Sequence, residues 1–237
     1  MRVYGAASEG GSQWLAAHEA NAFLSAVYGW MCIGLAITAA TAWYVAASTS
    51  LMKAVAANPG LFWGVIIIQF VIVFVLSSRV QTLPASVAAV LFVVYSGLMG
   101  VTMSFVLLAY TGESVARTFL VAAGMFGGLA AYGTITKRSL GGLGQFLFMG
   151  LIGVVLASIV NLFWHNDAFQ FVLSFAGVIV FSGLVAYDAQ RLRLMALETP
   201  DGQTSYAIVG ALALYLDFTN LFLFLLRFSG NRRQSDW

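Results

Sequence analysis

Hydrophobic and polar residues alternate along this chain in long blocks. Seven apolar blocks are each about long enough to cross a bilayer, which takes about 20 apolar residues. Polar residues cluster between the blocks, and the three prolines fall at or between their ends. The pattern predicts seven transmembrane helices, here called spans one to seven, at residues 23–47, 61–78, 84–110, 115–135, 143–164, 169–190 and 205–228.

Composition supports an all-α polytopic membrane protein. Of the 237 residues, 61% are hydrophobic and only 8% are charged, whereas soluble domains carry about 25% charged residues. We therefore expect a polar N-terminal tail at 1–21, a seven-helix transmembrane domain at 22–228 and a C-terminal tail at 229–237. The net charge of +2 is too small to suggest nucleic acid as a partner.

Few residues are of the kind that bind cofactors. The chain has one cysteine, Cys32, and its two histidines, His18 and His165, are far apart in sequence. A zinc-type site is not expected, because such sites need three or four clustered ligands. No cofactor is predicted.

The basic residues predict the orientation in the membrane. Of the seven lysines and arginines in or near the linkers between spans, five lie on the N-terminal side: Arg79, Lys137, Arg138, Arg191 and Arg193. Linkers on the other side hold Lys53 and Arg117. Because cytoplasmic loops carry an excess of Lys and Arg, we expect the N-terminus to be cytoplasmic.

Span seven carries an acid near its middle. Asp217 shares one helical stripe with Gly210, Ala213 and Asn220, while the other faces are Leu and Phe. A charge at this depth costs about 2.5–3.5 kcal/mol on insertion scales, so it normally faces protein or water. Asp217 is therefore either part of an ion or proton path or a buried hydrogen-bonded group.

Two further charged residues lie near the ends of spans. Asp188 is near the predicted end of span six, and Arg79 closes span two on the same side of the membrane. Asp188 could instead pair with Arg191, three residues later, and Arg79 could extend to the interface without a partner. If Asp188 and Asp217 meet in a medium of low dielectric, their charges repel, and the pair titrates as one unit.

Spans four and six share a short motif. Residues 126–132 read Phe-Gly-Gly-Leu-Ala-Ala-Tyr and residues 181–187 read Phe-Ser-Gly-Leu-Val-Ala-Tyr, which suggests a repeated unit beside span seven. In span four, Gly124 and Gly128 have the spacing that allows helices to approach closely. We interpret these two glycines as helix-packing positions.

The last two spans resemble the end of the Bax inhibitor-1 family. The similar segments are 181–190, which includes Tyr187-Asp188, and 213–227, which includes Leu216-Asp217-Phe218. Residues 110–111, 119, 126–127 and 132–137 resemble the central segment of that family, and the likeness covers about 21–228.

The resemblance implies a fold and a function. It implies a seven-helix bundle with span seven central, wrapped by spans one to three and four to six. It also implies a pH-sensitive calcium leak, in which Asp188 and Asp217 are the pH sensor and Arg79 latches the pair. Calcium ions prefer oxygen ligands, and two carboxylates alone would hold them weakly and transiently.

Two rival functions remain at this point. The resemblance also allows an interaction protein that modulates a membrane-bound protease or a cell-death pathway. An intramembrane aspartyl protease also uses two carboxylates, but those enzymes carry Gly-x-Gly-Asp, and here Tyr215 and Leu216 precede Asp217. We therefore expect no enzymatic activity.

Overall fold

The computed structural model describes residues 3–164, 166–198 and 204–233, with side chains described from His18 onward. These ranges are helical and contain no strand, which confirms the all-α prediction. The helices are α1 (Val3–Ala47), α2 (Thr49–Ala57), α3 (Pro59–Ser78), α4 (Ala85–Ala109), α5 (Gly112–Ile135), α6 (Gly141–Phe163), α7 (Asp167–Glu198) and α8 (Thr204–Ser229).

Seven helices in the described ranges are long and apolar enough to cross a membrane, as predicted. They are α1 from His18 onward and α3 to α8, which correspond in order to spans one to seven. The remaining helix, α2, lies between spans one and two, where the sequence analysis placed no helix. It buries no residue, and the Ser48 side chain caps it by accepting a hydrogen bond from the Leu51 backbone N–H.

Span six is longer than predicted. The sequence placed its end at Gln190, but α7 continues to Glu198, so Arg191 and Arg193 lie in the helix rather than in a loop. The reason is that the buried apolar stripe continues at helical spacing beyond the predicted end. That stripe consists of Ala189, Leu192 and Ala196.

The N-terminal stretch is also helical. The residues interpreted as a polar tail at 1–21 belong to α1 from Val3 onward. Pro200 and Asp201 of the linker between spans six and seven lie outside the described residues, as do His165 and residues 234–237.

The transmembrane helices form two groups of three with the same internal packing. In the first group, α1 and α3 both pack on α4. In the second group, α5 and α6 both pack on α7. Helix α8 contacts members of both groups: α1, α4 and, lightly, α3 on one side, and α5 and α7 on the other. The two groups also meet directly, where α1 packs on α7.

Helix α8 is the most buried of the spans. In its most apolar window 67% of the residues are buried, against 11–33% for the other six. The two phenylalanines that open the repeated motif both pack on it: Phe126 contacts Phe218 edge to face, and Phe181 stacks on Phe224. A polar side chain on α8 therefore lies mostly among protein atoms.

The close contact between α5 and α7 uses a glycine other than the predicted pair. A Cβ at Gly124 or Gly128 would meet no atom within 4 Å, so the packing role expected for these two is wrong in this monomer. A Cβ at Gly133 would instead overlap the backbone carbonyl of Ala186. Gly133 lies at the end of α5, where that helix passes α7 backbone to backbone.

The order of the spans divides the ends of the helices between two sides. The end of α3, the end of α7 and the start of α8 lie on the side where α1 begins, here called the N-terminal side. The α4–α5 connection and the end of α8 lie on the opposite, C-terminal side. That the N-terminal side is cytoplasmic remains a prediction.

Candidate functional site

Asp217 is buried within the bundle. It lies in the middle of α8, and only 5% of its surface is exposed. Its Oδ2 atom is buried and has no hydrogen-bond donor among the described residues. Burying an ionised carboxylate oxygen without a hydrogen-bond donor costs free energy. Whether Asp217 carries a proton therefore depends on the groups that surround it.

Asp188 is the nearest acidic neighbour of Asp217. It lies on α7, one of the helices that pack along α8, and is partly buried. The side chains of Asp188 and Asp217 lie within hydrogen-bonding reach of each other. A hydrogen bond between two carboxyl groups requires that one of them carries a proton. The structure therefore brings together the two acids that the sequence singled out.

Two cavities meet at Asp188. One, the α6–α8 cavity, has a volume of about 580 Å³ and lies between α6, α7 and α8, with both acids in its wall. The other, the α3–α8 cavity, has a volume of about 270 Å³ and reaches Ser77 and Val80 at the end of α3. Four residues line both cavities and form the partition between them: Asp188, Arg191, Ala213 and Leu216.

The cation beside the pair is Arg191 rather than Arg79. Arg191 lies in the partition with Asp188, although no salt bridge joins them. Arg79 is exposed at the end of α3 and, among the described residues, makes no salt bridge. Its neighbours Ser77 and Val80 nevertheless line the α3–α8 cavity, so Arg79 lies near one mouth of the site.

The site offers calcium few ligands. Besides the two acids, the lining residues of the α6–α8 cavity with oxygen-bearing side chains are Gln145, Tyr187 and Asn220. The described ranges contain no group of three or more His, Cys, Asp or Glu residues that could hold a metal ion. Calcium prefers six to eight oxygen ligands, so this donor set suits a transient passage better than a tight site.

The sequence analysis did not predict the hydrogen bonds that join α7, close to the acid pair, to the end of α5 and to the α5–α6 connection. The Gln190 side chain accepts a hydrogen bond from the Leu140 N–H (2.8 Å) and donates one to the Arg138 carbonyl (2.9 Å). Arg193 donates to the Thr134 carbonyl at the end of α5, where unpaired carbonyls favour a cation. A glutamine at the end of predicted span six, two residues after Asp188, was the available signal.

A second polar cluster lies on the opposite face of α8. The Tyr215 hydroxyl is 2.6 Å from Thr38 Oγ1, and Thr38 donates to the Ser96 carbonyl at 2.9 Å. Since that bond takes the only hydroxyl proton of Thr38, the Tyr215 O–H donates to Thr38. This cluster joins α8 to α1 and α4 and leaves its own groups satisfied.

The fold and this site define a class: a multi-pass helical membrane protein with a carboxyl pair inside its bundle. Comparison with known sequences gives the family. The profile described as "Inhibitor of apoptosis-promoting Bax1" matches residues 20–234. The chain thus belongs to the Bax inhibitor-1 family.

Bacterial relatives match most of the chain. The chain is 49% identical over 215 residues to the inner membrane protein YbhL of Escherichia coli K12. The aligned region covers 89% of this chain and 92% of that protein. An uncharacterized protein of Borreliella burgdorferi is 40% identical over 216 residues, covering 90% and 93%. An uncharacterized membrane protein of Streptococcus pyogenes is 36% identical over 215 residues, covering 89% and 93%.

Proposed function

We propose that this protein is a pH-sensitive calcium leak channel whose proton sensor is the Asp188–Asp217 pair. The observation that carries the proposal is the position of the pair: the two acids lie within hydrogen-bonding reach of each other, and one of them, Asp188, is part of the partition between two cavities. An acid inside a span is a candidate for an ion or proton path by default. Here two such acids line the same cavity.

The pair would act as a switch through a single shared proton. Two ionised carboxylates repel each other, so they stay in contact only while one proton is bound between them. The contacting arrangement therefore binds one proton more than a separated one. By linkage, acid favours the contacting arrangement and alkali the separated one.

Separation of the acids would change the partition. Asp188 is part of the wall between the two cavities. Movement of its side chain, or of α7, away from Asp217 would open the α6–α8 cavity toward the α3–α8 cavity. The two freed carboxylates would then attract a hard cation at the same place. Leak is therefore expected to rise as pH rises.

Arg79 would latch the closed arrangement. The proposal rests on the family resemblance and on the position of Arg79 at the end of α3, whose Ser77 and Val80 line the α3–α8 cavity. A shift of α3 would bring the guanidinium toward Asp188, where a charge-assisted bond is strong. Arg191, already in the partition, is the competing counter-ion.

We infer that the protein resides in a bacterial inner membrane, with calcium as the permeant ion. The location is supported by the name of its Escherichia coli relative and by the seven spans.

Calcium flux into liposomes tests the function. Purified protein is reconstituted, and flux is recorded at several pH values between about 6 and 8. We expect flux above that of protein-free liposomes, rising with pH, and a flat profile for Asp217→Asn. No flux at any pH would overturn the proposal and favour the interaction protein, which pull-down of a membrane-bound protease from native membranes would test.

A further inference from the structure

The two groups of helices leave a groove open toward the bilayer. Only Tyr110 and Thr111 separate α4 from α5 in sequence. Nevertheless α5 packs closely on α7 and α8, and among the described residues it does not pack closely on α1 or α4. On the C-terminal side, a gap therefore remains between α1 and α4 on one wall and α5 on the other.

This gap, here called the α1–α5 groove, consists of two adjoining cavities of about 160 and 740 Å³. Four apolar residues line both cavities: Ala39, Leu107, Val115 and Phe119. The floor is α8, through Phe218, Thr219 and Phe222. An apolar gap at this depth does not attract water, and an empty one would forfeit the dispersion contacts of its lining.

The groove is at least as deep as one leaflet. Its wall on α1 extends from Ala47 at the helix end to Leu35. Twelve residues at about 1.5 Å each give roughly 18 Å, and half of a hydrocarbon core of about 30 Å is about 15 Å. An acyl chain that entered at the interface and reached the bilayer midplane would therefore end beside Thr38 and Phe218.

A cation lies at the outer end of the groove. Arg233 lines the larger cavity, and the backbone after α8 holds it there. The Arg233 N–H donates to the Ala109 carbonyl (3.0 Å), the Thr111 N–H donates to the Asn231 carbonyl (3.1 Å), and the Asn231 N–H donates to Ser114 Oγ (2.9 Å). These bonds fix the C-terminal segment to the α4–α5 connection.

We propose that the α1–α5 groove binds an anionic phospholipid, with one acyl chain in the groove and the phosphate at Arg233. The apolar lining selects a hydrocarbon chain, and the groove is deep enough for an acyl chain of one leaflet. The guanidinium supplies charge complementarity to a phosphate, to which arginine can donate two parallel hydrogen bonds. The proposal is independent of the calcium function.

Photocrosslinking tests whether a chain enters the groove. The full-length protein is placed in nanodiscs with a phosphatidylglycerol that carries a diazirine near the end of one acyl chain, and the labelled residues are mapped. We expect label on Phe218 or Thr219, each only 4% exposed. Exposed Phe146 and Phe163 of α6 serve as the control for surrounding lipid. Label on α6 without label on α8 would overturn the proposal.

Native mass spectrometry tests the headgroup. Phosphatidylglycerol and phosphatidylcholine compete for the delipidated protein. We expect a preference for phosphatidylglycerol that Arg233→Gln reduces about fivefold, the effect of one interfacial arginine on anionic lipid. The neighbouring Arg232→Gln removes the same charge beside the groove and should keep most of the preference. Equal loss in both variants, or no preference in the wild type, would contradict a site at Arg233.

Discussion

Two polar residues of α8, Tyr215 and Asp217, are two positions apart and illustrate different uses of a buried polar group. Tyr215 is fully buried, and Asp217 is 5% exposed. The tyrosine faces the first group of helices, where its hydroxyl donates to Thr38. The aspartate faces α7, where its nearest polar partner is another acid, Asp188.

The two residues differ in whether the polar atoms of the side chain have hydrogen-bond partners. The Tyr215 cluster pairs its donors and acceptors, and such a cluster specifies one packing of the helices. Asp217 Oδ2 has no donor among the described residues, and the pair depends on a proton that can leave. We therefore expect the Tyr215 side of α8 to hold the bundle together and the Asp217 side to respond to pH.

The largest effect is expected from the acid pair. Asp217→Asn and Asp188→Asn should each flatten the dependence of calcium flux on pH, because an amide has nearly the shape of a carboxyl group but does not ionise. The double variant should add little to either single variant, since the two residues act as one unit. Flux in liposomes between about pH 6 and 8 is the measurement.

Tyr215→Phe is the matched control for that series. It removes a hydroxyl from the same helix, two residues away, and should leave the pH profile unchanged. A wild-type pH profile in both aspartate variants would make Asp217 a structural residue like Tyr215. A flat profile in Tyr215→Phe would remove the contrast between the two faces.

The next effect concerns the counter-ion. Arg79→Ala should raise the basal leak about tenfold, because a charge-assisted hydrogen bond contributes roughly 1.5 kcal/mol or more. Arg191→Ala is the matched variant in the partition itself. A leak that changes only in Arg191→Ala would assign the counter-ion role to Arg191, and Arg79 would then be an interfacial arginine without a latch function.

The smallest effect is on stability. Tyr215→Phe should lower the free energy of unfolding by about 1 kcal/mol, the net contribution of one hydrogen bond. Thermal unfolding in detergent, compared with Thr38→Val and the double variant, measures the coupling. Additive losses in the double variant would mean that the two hydroxyls do not depend on each other.

Much of the fold follows from the hydrophobic pattern. Seven long apolar blocks and the prolines between them predict the spans, because only helices of this length satisfy their backbone within a bilayer. The end of span six was missed, since Arg191 and Arg193 are typical of a loop by composition. Their helix is held by Leu192 and Ala196, whose burial depends on contacts with other helices.

The site could be predicted only in part. Acids within spans are rare, so Asp188 and Asp217 were identifiable from sequence alone. Their contact depends on the relative rotation of α7 and α8, which no local pattern encodes. The contact between Gly133 and Ala186 also depends on how two helices pack. The sequence predicted a close helix contact at Gly124 and Gly128, but the two backbones approach each other at Gly133 instead. The Thr38–Tyr215 bond likewise joins residues that are 177 positions apart.

The central claim, that Asp188 and Asp217 share one exchangeable proton, is tested most directly by infrared titration. A protonated carboxyl group has a carbonyl band that an ionised one lacks, and isotope-labelled aspartate in the reconstituted protein would assign it. The account predicts one such band that disappears in a single step as the pH is raised and is altered in both Asp188→Asn and Asp217→Asn. It also predicts an unchanged band in Tyr215→Phe. Absence of a titrating carboxyl band in the wild type, or a band that survives unchanged in both asparagine variants, would contradict it.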